Sequence, residues 1–264
     1  MSTRIKKKPE IEPAPAPEPK LAPATISEFD GVRYLHLGTP WVQGAMRIRK
    51  SLALELEYVQ RMMVWMLLRP SDELTHGHAV QLGLGAAAIT RFCHSTLRLR
   101  TTAVELNPTV ISACRIWFHL PDDSSRFHVL EMDAADYVAD PQRAASAQVL
   151  CVDLYDHDAA SPVLDSEAFY ADCHRLLADG GVMTVNLFGR DASFERSAQR
   201  IAAAFGAAQV FSLRPTKEGN TIVLAMKQRP WPDRATLAAR AADIESRFKL
   251  PAKKWLPMMR SLAA

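Results

Sequence analysis

This sequence is poor in cysteine, in paired metal ligands and in uninterrupted apolar runs, and each shortage removes a class of protein. Only Cys93, Cys114, Cys151 and Cys173 are present, none in a C-x-x-C pair and all within apolar-patterned segments. That usage predicts buried free thiols in a reducing compartment, with neither a disulfide framework nor a metal site. His76-Gly77-His78 is the only close histidine pair, and it has no third ligand at metal spacing. No stretch approaches the ~20 apolar residues of a membrane span. The N-terminus is basic, but Pro, Ala and Glu follow where a secretory leader has its apolar core, so the chain is expected in the cytoplasm. Formal net charge is +3, and five cations against three acids in residues 1–20 carry most of it. The rest is nearly neutral, which offers no footprint for nucleic acid.

What is present is a chain of 264 residues, 48% hydrophobic, long enough to bury a core without staples. Residues 1–25 alternate Pro, Ala, Glu and Lys, a composition expected to stay disordered. Residues 26–70 read as a small β-hairpin, Val32 to Leu37 returning over Trp41 to Ile48, and then an apolar helix from Leu54 to Leu68 that Pro70 stops. The helix face of Met62, Met63, Trp65 and Met66 is core or subunit contact. Residues 71–230 alternate short apolar strands with helices, and only Arg214 to Asn220 separates the last two strands. A link so short makes those two an antiparallel hairpin at one sheet edge. The expected fold is therefore α/β, a Rossmann-like doubly wound, mostly parallel sheet with an antiparallel edge strand. Residues 231–264 read as a helical extension with a frayed amphipathic tail.

In such a sheet, ligands sit beyond the carboxyl ends of the strands. Strand one ends at Gly83-Leu84-Gly85, where missing side chains let a nucleoside approach the backbone. The full G-x-G-x-x-G pattern is absent, because position 88 is Ala. Glu105 ends strand two about twenty residues later, where an acid accepts ribose hydroxyls. Asn107 is better placed than Glu105 to cap the helix beginning at Pro108. Asp133 follows strand three, either holding an adenine amine or capping the helix at Ala134, and Asp153 follows strand four. Spacing alone does not separate a dinucleotide from an S-adenosyl ligand.

Several stretches go further: Val80 to Gly85, Val104-Glu105-Leu106-Asn107-Pro108, Met132-Asp133-Ala134, Val152-Asp153-Leu154-Tyr155-Asp156 and Ser166 to Tyr170. On these, residues 31–226 resemble the spermidine synthase (polyamine aminopropyltransferase) family of the class I methyltransferase fold, best over Ala79 to Leu187. Trp41-Val42-Gln43 and Glu57-Tyr58-Val59-Gln60 resemble its upstream hairpin and first helix. The resemblance implies that Gln43 touches the nucleoside sulfur region, Glu105 the ribose, and Asp133 with Ala134 the adenine. It implies Asp153 as general base and Asp156 as a binder of the attacking amine. Tyr155, between them, bonds the substrate or walls the pocket. The co-substrate would be decarboxylated S-adenosylmethionine, or S-adenosylmethionine itself, with no tightly bound cofactor. The partner would be a small amine, and the family often forms homodimers.

The sequence departs from the family at definite places. Ala86 stands where the glycine turn usually carries an Asp that meets the donor's amino group, and His157 replaces a usual Pro. Arg214 to Asn220 replaces the usual Tyr-Pro-Ser-Gly acceptor segment, and Arg214 and Lys217 there would repel a diamine. Three readings follow: an aminopropyltransferase with an altered acceptor, an S-adenosylmethionine-dependent methyltransferase, or a non-catalytic nucleoside-binding homologue.

Overall fold

The computed structural model describes residues 21–154, 164–188 and 192–263. Strands β1 (Ala24–Phe29), β2 (Val32–Leu37) and β3 (Gly44–Arg47) form a separate three-stranded antiparallel sheet. The hairpin read from the sequence is β2 with β3, shortened at its second strand, and β1 is additional. Its signal is Asp30-Gly31, with φ of 49° and 72°. Asp-Gly with both residues at positive φ is the two-residue turn whose twist matches flanking strands. Because β1 begins at Ala24, it enters the stretch that composition assigns to the tail. Residues 1–20 lie outside the described ones.

Helix α1 (Glu57–Met62) tightens into a 3-10 turn over Met63–Leu67, and this whole apolar run from Met62 is buried. It is core. The main domain then runs β4 (His78–Leu82), α2 (Ala88–Arg91), β5 (Arg100–Glu105), α3 (Pro108–Trp117), β6 (Phe127–Glu131), α4 (Ala134–Ala139) and β7 (Ala147–Val152). It continues with α5 (Glu167–Leu176), β8 (Leu177–Phe188), α6 (Ala192–Phe205), β9 (Val210–Ser212), β10 (Asn220–Met226), α7 (Arg234–Phe248), α8 (Ala252–Trp255) and β11 (Arg260–Ser261).

The eight strands order as β11-β9-β10-β8-β7-β4-β5-β6. Strands β4 to β8 are mutually parallel, β10 is antiparallel to β8 and β9, and β11 is antiparallel to β9. The Rossmann-like sheet with an antiparallel edge is therefore as the sequence pattern predicts. Period-two alternation explains how both faces bury. Val149 and Cys151 of β7 pack with α7 and the 63–67 turn, while Leu150 and Val152 pack with α4, α5 and α6. The C-terminal segment is no frayed tail, since Ile244 and Trp255 are buried with Trp65, and β11 extends the sheet. Asp179-Gly180-Gly181 lies within β8 as a bulge, the pairing passing from Ala147↔Leu177 to Val149↔Val182.

The strand order turns between β4 and β7, where crossovers leave in opposite directions and open a crevice. Here Gly83, at φ 83°, lies so close to β7 that a Cβ would stand 2.1 Å from the Asp153 carbonyl oxygen. The small sheet docks on the same turn, for a Cβ on Gly44 would lie 2.5 Å from the Ala86 nitrogen. Arg91, fully buried, ties the two together by donating to Met46 Sδ of β3 at 3.2 Å and to the carbonyls of Ser51, Ala87 and Ala86. We expect Gly83→Ala to lower stability by about 2–4 kcal/mol through left-handed strain plus the clash. Urea titration would show this as a lower midpoint at unchanged slope.

Candidate active site

A cavity of about 720 Å³ opens at the carboxyl ends of β4, β5, β6, β7 and β8. That volume suits a nucleoside with a second small molecule. Each strand delivers its residue by ending there. Gly83 and Gly85 follow β4, Glu105 ends β5, Asp133 and Ala134 follow β6, and Asp153 follows β7. Asn186 and Phe188 come from the end of β8, and Asn220 from the start of antiparallel β10. The small sheet and α1 close the other side with Leu35, Leu37, Gln43 and Tyr58. All the described residues expected from the sequence are thus brought together. Tyr155, Asp156 and His157 lie outside the described residues.

Glu105 is fastened to the glycine turn. One carboxylate oxygen accepts from the Leu84 N–H at 2.8 Å and the other from the Asn107 N–H at 2.9 Å. Burial pushes its pKa up, and these backbone donors pull it back. Helix capping does not compete, because Asn107 caps α3 through its own side chain, 3.0 Å from the Thr109 N–H. Asp133 is the cap of α4 and a wall residue of the cavity. One oxygen caps α4 at the Ala135 N–H, 2.7 Å away, while the residue also lines the cavity. Gln43 lines the cavity and has a buried Nε2 with no hydrogen-bond partner among the described residues.

Asp153 sits half-buried in the cavity wall. Its Oδ1 accepts from Asn186 Nδ2 at 2.8 Å and its Oδ2 from the Tyr58 hydroxyl at 3.3 Å. Burial raises its pKa, and the Asn186 and Tyr58 hydrogen bonds lower it in part. Asn186 is itself oriented by Asn220, whose Nδ2 donates to Asn186 Oδ1 at 3.1 Å. Sequence reasoning gave no role to Tyr58, Asn186 or Asn220. Only the position of Asn186, at the end of an apolar strand pattern, hinted at one.

Two expectations change. Ala86 is buried and is not among the cavity residues, its Cβ facing Gly44, so the position of the missing acid is filled by packing. Arg214 and Lys217 do not line the cavity either, whereas Glu218 does. The turn between β9 and β10 thus presents a carboxylate where repulsion was anticipated. Among the described residues, the lining holds Glu105, Asp133, Asp153 and Glu218 and not one Lys, Arg or His.

No protein-family model matches the chain. The polyamine aminopropyltransferase of Neisseria meningitidis serogroup A is 32% identical over 206 residues, 78% of this chain and 76% of that protein. The polyamine aminopropyltransferase of Chromobacterium violaceum is 32% identical over 230 residues, 85% of this chain and 84% of that protein. Among solved structures, a probable spermidine synthase from Corynebacterium glutamicum matches with a TM-score of 0.69 at 19% identity, covering 86% of this chain and 85% of the other. That likeness carries the fold, and the two relatives carry the kinship: the chain belongs to the polyamine aminopropyltransferase family.

Proposed function

We propose that this chain transfers an aminopropyl group from decarboxylated S-adenosylmethionine to a small amine, releasing methylthioadenosine. The observation that carries the reading is the charge of the cavity, four acids with no cation among the described lining residues. A pyrophosphate ligand would meet only repulsion there. A sulfonium and an ammonium would be attracted. The nucleoside enters as a co-substrate, and no tightly bound cofactor is involved.

Each residue has a role in this reading. Gly83 and Gly85 let the nucleoside approach the backbone, and Glu105 takes its ribose hydroxyls on the lone pairs left by Leu84 and Asn107. Asp133 and Ala134 hold the adenine, and Gln43, whose Nε2 has no hydrogen-bond partner among the described residues, serves the sulfur end. Asp153 takes a proton from the arriving ammonium and exposes the nitrogen lone pair. That pair attacks the carbon bonded to the sulfonium, the C–S pair returns to sulfur, and a neutral thioether leaves. Free alkylammonium has a pKa of about 10, so a carboxylate of ordinary pKa is a weak base for it. Burial of Asp153 narrows that gap. Tyr58 and Asn186 fix the carboxylate so that attack is in line. Tyr155 and Asp156 complete the amine site.

Cytoplasmic placement is part of the proposal, supported by four buried free thiols suited to a reducing compartment. A homodimer is also proposed. Exposed Phe29, Ile116 and Trp117 supply apolar surface for one. Nucleic acid and membrane are not partners in this reading, and no helix among the described residues is long and apolar enough to cross a bilayer.

Asp153→Asn should lower kcat with decarboxylated S-adenosylmethionine by at least about 100-fold while leaving methylthioadenosine affinity within about twofold. Mass spectrometry of products and calorimetry check the two halves, and unimpaired turnover would remove Asp153 from the mechanism. The carboxylate works only when ionised, so kcat/KM should fall as pH drops through its raised pKa, above the usual carboxylate range. The Tyr58 hydroxyl lowers that pKa. In Tyr58→Phe the acid limb of the pH–rate profile should accordingly move to higher pH, and a limb that stays in place would dissociate Tyr58 from the base.

A further inference from the structure

Just before β1, the backbone crosses the nucleoside end of the cavity as a short strap. The Ala22 carbonyl accepts from Asn107 Nδ2 at 2.7 Å, and the Ala24 N–H donates to Thr109 Oγ1 at 2.9 Å. Both anchors belong to the start of α3, immediately after Glu105 and Leu106. The strap is thereby held against the same backbone that presents the ribose acid. Leu21 and Ala22 both line the cavity. Leu21 keeps 44% of its surface exposed and Leu106 keeps 46%. Two large apolar side chains left this open on a cavity wall gain free energy when a flat apolar group covers them. Asp153 is bonded to Tyr58 of α1 and Asn186 of β8, whereas the strap is anchored at the start of α3.

We propose that Leu21 is a nucleoside-binding residue, held over the cavity by Asn107 and Thr109 so that, with Leu106, it covers the nucleoside at the Glu105 end. The proposal rests on the nucleoside reading of the cavity and adds a contact from outside the Rossmann-like sheet. It separates donor binding, which the strap serves, from proton transfer at Asp153, which it does not. A strap that merely pinned β1 to α3 would not need Leu21 at all.

The test is calorimetric titration of the full chain with methylthioadenosine, comparing wild type, Leu21→Ser and Leu21→Met. Loss of one covering Leu should raise Kd by about five- to tenfold in Leu21→Ser. Leu21→Met keeps the apolar cover and should bind like wild type. Since Leu21 is exposed, both variants should keep the wild-type melting temperature. Wild-type affinity in Leu21→Ser would overturn the role of the strap alone. A wild-type chain that does not bind methylthioadenosine would overturn the nucleoside reading itself.

Discussion

Two strand ends meet at the centre of this molecule with no room for a side chain between them. Gly83 turns away from β4 at a positive φ, and the carbonyl of Asp153, just after β7, occupies the space its Cβ would need. The contact does more than join neighbours in the sheet. It places the turn whose Leu84 N–H holds Glu105 beside the residue whose carboxylate is the proposed base. The proposed nucleoside site and the proposed base are therefore held in fixed relation by backbone packing. Longer side chains elsewhere only tune what that contact has positioned.

The price of the arrangement is electrostatic. Burial raises the pKa of both Glu105 and Asp153, and no cation lines the cavity among the described residues. Backbone N–H groups, an amide and a phenol offset part of that cost without neutralising the charge. An ion pair would stabilise the acids better and leave them useless to a cationic ligand. Sites built for function commonly give up stability in this way.

The three-stranded sheet and the segments around it complete the site. Gly44 packs on Ala86, Arg91 bonds across the junction, and Gln43 and Tyr58 reach the cavity from that side. Loss of the family's acid at position 86 then reads as a change in packing as much as in recognition. Glu218, from the turn that replaces the usual acceptor segment, restores negative charge at another part of the wall.

The sheet and its acids were legible because their physics is local. Alternating apolar strands and helices specify a parallel sheet, and in such a sheet Glu105, Asp133 and Asp153 end strands on the ligand side whatever the loops do. Strand β1 had a readable turn at Asp30-Gly31, but its apolar alternation is confined to Ala24-Thr25-Ile26-Ser27, too short to stand out beside the tail. The C-terminal burial of Trp255 was not legible, since a short amphipathic segment looks the same docked or free. By itself, then, the sequence determined the fold class, the ligand side of the sheet and the acids that face it. Only the tertiary structure decided that Tyr58 and Asn186 hold Asp153, and that Glu218 and Leu21, rather than Arg214 or Lys217, line the cavity. Those are contacts between residues up to 95 positions apart, set by how elements pack and not by any local pattern.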